Sequence, residues 1–282
     1  MKKILVPTDF SPCAEYAAET AIDIAERANA EVLFLHLQPE TPEPVHIPHT
    51  GGWSSHNVHD QNMEMGSARH ALDQWVAKAT HRGVEASSAL AVSKGGEWIE
   101  DYLSPYKIDL VVMGSCGATG IKEIFLGSNA QHVARHSNVP VLVVKKRTET
   151  LPFRNIVFVS DFTTDLIKPM ERVIDLVTMT KANLHMLYVN TPYHFRETHE
   201  IESQMKRFTH QIKGITPIAH IYNGYNEESG IRQFVKDHNI DLIALTTHGT
   251  TGFLRMLKHS IAEELVNHED VPVMVINIKS LQ

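Results

Sequence analysis

The sequence is short of cysteine, of positive charge and of long apolar segments. Its two cysteines, Cys13 and Cys116, are too few for a disulfide framework, so we expect a protein of the reducing cytoplasm. Lysine and arginine number 26 against 33 aspartate and glutamate residues, and the formal net charge of −7 argues against nucleic-acid binding. We expect no membrane association, because no apolar run reaches the roughly 18 residues of a membrane span. The apolar stretch before Pro7 is also too short for a signal-peptide core.

What the sequence does contain is an internal repeat, in a chain of 282 residues whose length fits two domains. Two early segments recur 152 residues later: Ile4–Ser11 as Ile156–Thr163, and Ala30–Leu37 as Ala182–Val189. Two later segments recur at an offset of 132: Ile108–Leu110 as Ile240–Leu242, and Val139–Val144 as Val271–Ile276. The first half therefore holds 20 additional residues between positions 37 and 108. We predict two homologous domains, residues 1–147 and 152–282, separated by a short polar stretch that ends in proline.

Each half alternates short apolar strands with helical patterns. Ser11 and Pro12 are typical of a helix N-cap and first turn, ahead of an alanine-rich segment. Strands separated by helices favour right-handed crossovers and a parallel sheet covered on both faces. We therefore predict the α/β class, with two tandem doubly wound domains of five parallel strands each. The predicted strands of the first half, all short and apolar, are Ile4–Thr8, Val32–Leu37, Val84–Val92, Leu110–Met113 and Val141–Val144.

The residues at two predicted strand ends indicate a ligand site, because open α/β sheets bind ligands beyond the carboxyl ends of their strands. Pro7–Phe10 closes the first strand, and the glycine-rich segment Gly114–Gly120 closes the fourth. Glycines allow close approach of a phosphate, and the start of a helix near Ser128 favours an anion. The hydroxyls there and the carboxylate of Asp9 could bind a nucleotide. The alternative is a tight turn without a ligand, since neither the P-loop motif nor G-x-G-x-x-G is present.

The spacing Gly114-x2-Gly117-x9-Gly127-Ser128 resembles the G-x2-G-x9-G-[ST] signature of ATP-binding universal stress proteins. The opening Ile4–Ser11 and the segment Val139–Val144 are also similar to that family. The resemblance implies a flavodoxin- or Rossmann-like sheet with the strand order 3-2-1-4-5 in each half. It also implies that the last strands of the two halves, which resemble the family's dimerisation edges, pair with each other in an intramolecular pseudo-dimer.

The resemblance further implies roles for individual residues of the first half. Asp9 would contact ribose or adenine, with Pro7 and Thr8 lining the pocket and Leu37 and Met113 flanking the adenosine. The phosphates of ATP, together with Mg²⁺, would be held by Gly114, Gly117, Gly127, Ser128 and Asn129. The second half departs from this signature: Thr246 replaces the glycine at 114, and His259 replaces the glycine at 127. We interpret its edge as a degenerate site that serves as a packing scaffold.

Histidine is abundant, with 18 residues, and suggests a second class of function. The segment Pro42–Asp60 holds two H-x-x-H pairs, which metal ions such as Zn²⁺ or Cu²⁺ could bind. We interpret the segment as a solvated loop followed by a helix that begins near His59. His132 and His136 have the i, i+4 spacing of metal ligands but lack the H-E-x-x-H glutamate, so we interpret them as surface residues. We therefore predict no metal ligands.

We predict an ATP-binding protein of the stress response, in which the bound nucleotide switches a surface for an unidentified protein partner. No nucleophile and base stand together in the sequence, so we expect at most slow hydrolysis of ATP. A homodimer of the whole chain is compatible with this hypothesis. The alternative is a non-nucleotide sensor or partner-binding module, which would use the histidine-rich loop or a pocket in the second half.

Overall fold

A computed structural model describes residues 1–39, 58–93, 98–115, 128–146, 153–162, 166–247 and 271–277. The first half alternates strands and helices as the sequence predicts. Its strands are β1 (Lys3–Pro7), β2 (Glu31–Pro39), β3 (Ala86–Ser93), β4 (Leu110–Gly114) and β5 (Val141–Val144). Its helices are α1 (Pro12–Ala28), α2 (Val58–His81) and α3 (Ser128–His136), with a 3-10 helix, η1, at Ile99–Tyr102.

The second half repeats the alternation of strands and helices, with an α-helix in the place of η1 and a 3-10 helix after its second strand. Its strands are β6 (Asn155–Val159), β7 (Asn183–Asn190), β8 (Ile218–Asn223), β9 (Leu242–Thr247) and β10 (Val273–Asn277). Its helices within the described residues are α4 (Ile167–Thr180), α5 (Thr198–Thr209) and α6 (Glu227–Asp237), with a 3-10 helix, η2, at Pro192–His194.

All ten strands form one sheet in the order β3-β2-β1-β4-β5-β10-β9-β6-β7-β8. Each half contributes five parallel strands in the predicted order 3-2-1-4-5, which confirms the doubly wound fold. The halves join through β5 and β10, which pair antiparallel with Leu142 opposite Met274. This seam confirms the predicted intramolecular pseudo-dimer. Because the seam is antiparallel, the carboxyl ends of the first-half strands and those of the second-half strands lie at opposite edges of the sheet.

Several local structures recur in both halves, at the offsets found in the sequence. Asn29 and Lys181 end α1 and α4 in the left-handed conformation, with φ of 50° and 55°. The carboxylate of Asp109 accepts hydrogen bonds from the backbone N–H groups of Lys2 and Lys3 at the start of β1. The carboxylate of Asp241 does the same for Arg154 and Asn155 at the start of β6. These contacts tie the first strand of each half to the turn before its fourth strand.

The apolar core lies on both faces of the sheet. One layer includes Phe34, Phe158 and Leu166, and the layer on the opposite face includes Leu5, Val111 and Phe234. Ala86 and Ile218, the first residues of β3 and β8, are already related by the shorter offset of 132. The additional residues of the first half therefore lie between β2 and β3, where α2 has 24 residues against 12 in α5. Among the described residues, no helix is long and apolar enough to cross a bilayer.

Candidate functional site

The carboxyl ends of β1 and β4 lie side by side at one edge of the sheet. These strands pair in parallel, with Ile4 opposite Leu110 and Leu5 opposite Val111. Continued along the strands, this register sets Pro7 level with Met113. The structure thus brings together the two segments that the sequence singled out, the turn after β1 and the start of the glycine-rich segment after β4.

The turn after β1 is held by its own hydrogen bonds. The buried Thr8 accepts from the N–H of Phe10 through its hydroxyl, at 2.9 Å. Phe10 adopts the left-handed conformation with φ of 61°. Asp9 is exposed, and its Oδ1 accepts from the N–H of Ser11 at 2.9 Å. Ser11 then caps α1 by accepting from the N–H of Ala14. The side chains of Thr8 and Asp9 therefore shape this turn before any ligand binds.

Gly114 is required by the packing of α1 on β4. A Cβ on this residue would lie 2.3 Å from the backbone carbon and oxygen of Cys13 and 2.6 Å from the nitrogen of Ala14. No side chain fits such a gap, so helix packing alone explains this glycine. Cys13 is disulfide-bonded, whereas the low cysteine content led us to expect the thiols of a reducing compartment. The chain has one other cysteine, Cys116, which lies outside the described residues.

Ser115, directly after β4, has a polar atom that the fold leaves unused. It is 3% exposed, and its backbone N–H donates to the carbonyl of Val144 at 3.0 Å. Its Oγ is buried and has no hydrogen-bond partner among the described residues. An unsatisfied buried hydroxyl costs free energy, so this atom is suited to a ligand that supplies a partner.

The start of α3 lies at the same edge of the sheet. β4 and β5 are parallel, so the helix between them runs back across the sheet and begins where β4 ends. Ser128 and Asn129 are its first residues, and the free backbone N–H groups of a helix start favour an anion. Gly117 and Gly127, the other glycines of the signature, lie outside the described residues, as does most of the histidine-rich segment.

Leu37 and Met113 line the neighbouring strand ends. Met113 is buried and Leu37 is partly buried, and both pack with the same apolar layer. His36, a neighbour of the turn after β1, was not predicted from the sequence as a site residue. His36 lies 2.7 Å through its Nδ1 from the carbonyl of Thr8, and its ring lies 4.7 Å from that of Phe10. Its position within the apolar run of β2 was the available signal, because a partly buried imidazole needs a hydrogen-bond partner.

In the second half, the turn after β6 has the same conformation as the turn after β1, but the residues around it differ. Ser160 accepts from the N–H of Phe162, whose φ is 54°, as Thr8 does for Phe10. The carbonyl of Asp161 accepts a hydrogen bond from Gln204 of α5 at 3.0 Å. Thr246 occupies the position of Gly114, and α4 begins at Ile167, three residues later than α1 does in its own half. Gln204 of α5 thus contacts the turn after β6 directly.

The second half also contains a histidine cluster formed by His185, His220 and His238. The Nδ1 of His185 lies 3.0 Å from the Nε2 of His220, and the ring of His238 lies 4.9 Å from that of His220. Burial lowers the pKa of His220 to about 4, and its two histidine neighbours add to the effect. Burial, followed by the charge of His238, also lowers the pKa of His185. These shifts favour the neutral form of His185 and His220 at neutral pH.

Comparisons with known proteins agree with this architecture. The model of the universal stress protein family matches residues 1–145 and again residues 152–277. The chain belongs to the universal stress protein family. Two matches in one chain make it a tandem universal stress protein. A relative from Methanocaldococcus jannaschii, universal stress protein MJ0531, is 35% identical over 147 residues, which cover 51% of this chain and 82% of the relative.

Solved structures match both halves at once. A universal stress protein from Archaeoglobus fulgidus superimposes with a TM-score of 0.78 at 21% identity, covering 98% of each chain. A universal stress protein structure from Pseudomonas aeruginosa gives a TM-score of 0.68 at 16% identity, over 98% of this chain and 93% of the other. At these identities the superpositions establish the tandem fold.

Proposed function

We propose that this universal stress protein binds ATP, with Mg²⁺, at the edge of the first half and acts as a nucleotide-dependent switch in the stress response. The observation that carries the proposal is the convergence at one edge of the Asp9 turn, the buried and unpartnered hydroxyl of Ser115, and the start of α3. The proposal includes the domain limits 1–147 and 152–282, a cytoplasmic location and an unidentified protein partner.

The chemistry of this edge suits a nucleotide. The N–H groups at the start of α3 favour phosphate, and the hydroxyl of Ser115 would donate to a phosphate or ribose oxygen. Asp9, at the end of β1, would accept from a ribose hydroxyl or the adenine amino group. Leu37 and Met113 offer apolar surface to the adenosine. Mg²⁺ would be held largely by phosphate oxygens, as is usual for this ion.

Slow turnover is part of the proposal, because a switch must remain in its bound state long enough to be read by a partner. The described residues of this edge bring no nucleophile and base into contact. The hydroxyl of Thr8 already accepts a hydrogen bond within the turn, and one oxygen of Asp9 does the same. We therefore propose binding with at most slow hydrolysis.

The test begins with mass spectrometry of any nucleotide released from the purified protein, followed by thermal melts with ATP, ADP, AMP and cyclic AMP. ATP with Mg²⁺ at about 100 times its Kd should stabilise the first half by about 2.7 kcal/mol. This corresponds to a rise in melting temperature of roughly 3–6 °C if the halves melt independently. An absent shift, together with no released nucleotide, would contradict the proposal.

Matched variants in the two halves locate the site. We expect Asp9→Ala to lose the shift with Mg-ATP, and Asp161→Ala, at the equivalent position of the second half, to keep it. Gly127→Val should also lose the shift, since the family signature implies a phosphate contact there. A shift that survives in Asp9→Ala and disappears in Asp161→Ala would move the nucleotide to the second half.

A further inference from the structure

Glu100, His132 and His136 converge on one point although they come from two different elements. Glu100 lies on η1, and the two histidines lie one turn apart on α3. The potential ligand atoms of the three side chains all lie within 4.8 Å of one another. The Nε2 of His132 is 3.7 Å from the Oε1 of Glu100, which is longer than a hydrogen bond. The three side chains therefore face one another, with Glu100 and His132 at ion-pair distance and no hydrogen bond between them.

The two imidazole rings are held in place by their surroundings. The Nδ1 of His136 lies 2.9 Å from the carbonyl oxygen of His132, so it must carry the proton and donate. This fixes the tautomer in which the Nε2 of His136 offers a lone pair, as in many metal sites whose outer hydrogen bonds orient the ligands. The ring of Trp98 stacks on His132 at 3.6 Å with an angle of 13°, and His132 stacks on His136 at 4.2 Å.

Among the described residues, the carboxylate of Glu100 accepts no hydrogen bond and has the imidazole of His132, at 3.7 Å, as its ion-pair partner. Both of its oxygens are inaccessible to solvent and have no hydrogen-bond partner among the described residues. Its side chain is 17% exposed and that of His132 is 27% exposed. Burying an ionised carboxylate is costly unless a cation or hydrogen-bond donors compensate it. A cation between Glu100 and the two histidines would supply this compensation.

We propose that Glu100, His132 and His136 bind a divalent transition-metal ion, and that Zn²⁺ is the ion they take. Two imidazoles and one carboxylate are a donor set that Zn²⁺ prefers, with a fourth position left to water. Tetrahedral coordination at about 2.0–2.1 Å would bring the ligand atoms to roughly 3.3 Å from one another. The bound ion would fasten η1 to α3.

The first experiment measures zinc retained by the full chain. Chelator-treated protein is incubated with ZnCl₂, exchanged into zinc-free buffer and analysed by mass spectrometry for metal content. We expect the His132→Gln/His136→Gln variant to retain one equivalent fewer than the wild type. Glu100→Gln should bind zinc at least tenfold more weakly in competition with a chromophoric chelator. His136→Gln alone should show a loss as well, and its exposed side chain makes misfolding of this variant a minor concern.

Two controls distinguish this site from other histidines of the chain. His70→Gln replaces an exposed histidine of α2 whose Nε2 contacts Gln74, and it should retain zinc as the wild type does. The His46→Asn/His49→Asn/His56→Asn variant replaces most histidines of the histidine-rich segment. It should still retain the equivalent of zinc that we assign to Glu100, His132 and His136. Absence of retained zinc in the wild type would overturn the proposal. So would a loss of zinc in the variant of the histidine-rich segment without a loss in His132→Gln/His136→Gln.

A spectroscopic readout tests the ligand set itself. X-ray absorption at the zinc edge should show two imidazole ligands together with oxygen in the wild type, and one imidazole in His136→Gln. Urea unfolding of the zinc-free variants checks that each is folded. An unchanged zinc spectrum in both His136→Gln and Glu100→Gln would exclude these side chains as ligands and overturn the proposal.

Discussion

The two halves of this chain share one fold and differ at the edge where the fourth strand ends. In the first half, the absence of a side chain at Gly114 lets the first turn of α1 approach β4 within van der Waals distance of the backbone. In the second half, Thr246 stands at the same position and α4 begins three residues later relative to its strands. The first glycine of the nucleotide signature is therefore also a helix-packing residue. Its presence is therefore a weaker indication of ATP binding than the signature implies.

Substitution of Gly114 should produce the largest difference between the halves. We expect Gly114→Ala to lower the free energy of unfolding by about 2–3 kcal/mol, because the new Cβ collides with the backbone of Cys13 and Ala14. Thr246→Ala, the matched change, should cost about 1 kcal/mol. Urea unfolding without nucleotide measures both. Equal midpoints for Gly114→Ala and the wild type would show that α1 does not need the glycine.

Acid should destabilise the second half more than the first. The folded-state pKa of His220 is about 4, well below its ordinary value, so the unfolded chain binds this proton at a higher pH than the folded chain does. The stabilisation is complete above about pH 6.5 and is lost as the pH falls towards 4. We expect a loss of about 1–2 kcal/mol across this range, reduced from the full pKa shift because the ring is partly exposed.

The pH effect has a matched contrast within the chain. The first half has Leu33, Ser88 and Tyr106 at the positions of His185, His220 and His238. Urea unfolding of the wild type and of His220→Gln at a series of pH values measures the contribution, and His70→Gln serves as the exposed control. A pH dependence that persists unchanged in His220→Gln would assign the effect to other groups.

Removal of the two aspartates that hold the first strands should affect the halves equally. Asp109→Ala and Asp241→Ala each remove two hydrogen bonds from backbone N–H groups to a carboxylate. The shorter bond of Asp109 is that from Lys2, at 2.6 Å, and the shorter bond of Asp241 is that from Arg154, at 2.7 Å. We expect each change to cost about 1 kcal/mol, since the strand ends regain partners in water. Thermal melts monitor both. A difference well above about 0.5 kcal/mol would show that these equivalent contacts have diverged in importance.

The smallest expected effect concerns the start of α1. Ser11→Ala removes an N-cap bond of 3.3 Å to the N–H of Ala14, which is long, so we expect a loss near 0.5 kcal/mol. α4 begins after Leu166, which makes no side-chain cap bond, so the second half has no equivalent capping contact to remove. Urea titration of Ser11→Ala gives the measurement. A large effect of Ser11→Ala would indicate that this residue also supports the neighbouring turn.

The sequence predicted most of the fold because the fold depends on local patterns. Val141–Val144 was predicted with its exact limits, and β1 begins and ends one residue before the prediction, because short apolar runs are typical of buried parallel strands. The pairing of β5 with β10 followed from the apolar character of both final strands and from the resemblance to the family's dimerisation edges, whereas its antiparallel direction came from the structure. The limits of a single strand need no knowledge of which distant residues meet.

The candidate sites were predicted less completely because they depend on contacts between distant residues. His132 and His136 were visible as an i, i+4 pair, but Glu100 joins them only through the packing of η1 on α3. The clash that explains Gly114 likewise depends on how closely α1 lies over β4. The pairing of His185 with His220 comes from the register of β7 and β8, which no local motif specifies.

The seam between β5 and β10 also determines how this protein can change over time. In a dimer of two identical chains joined at such a seam, every substitution would occur in both subunits. A substitution that removed a ligand site at one edge of the sheet would therefore remove it at the other edge as well. Here a peptide link joins the halves, and their pairing does not depend on protein concentration. One half is then free to keep a glycine at position 114 while the other carries a threonine at 246. The covalent link has made the two edges independently mutable.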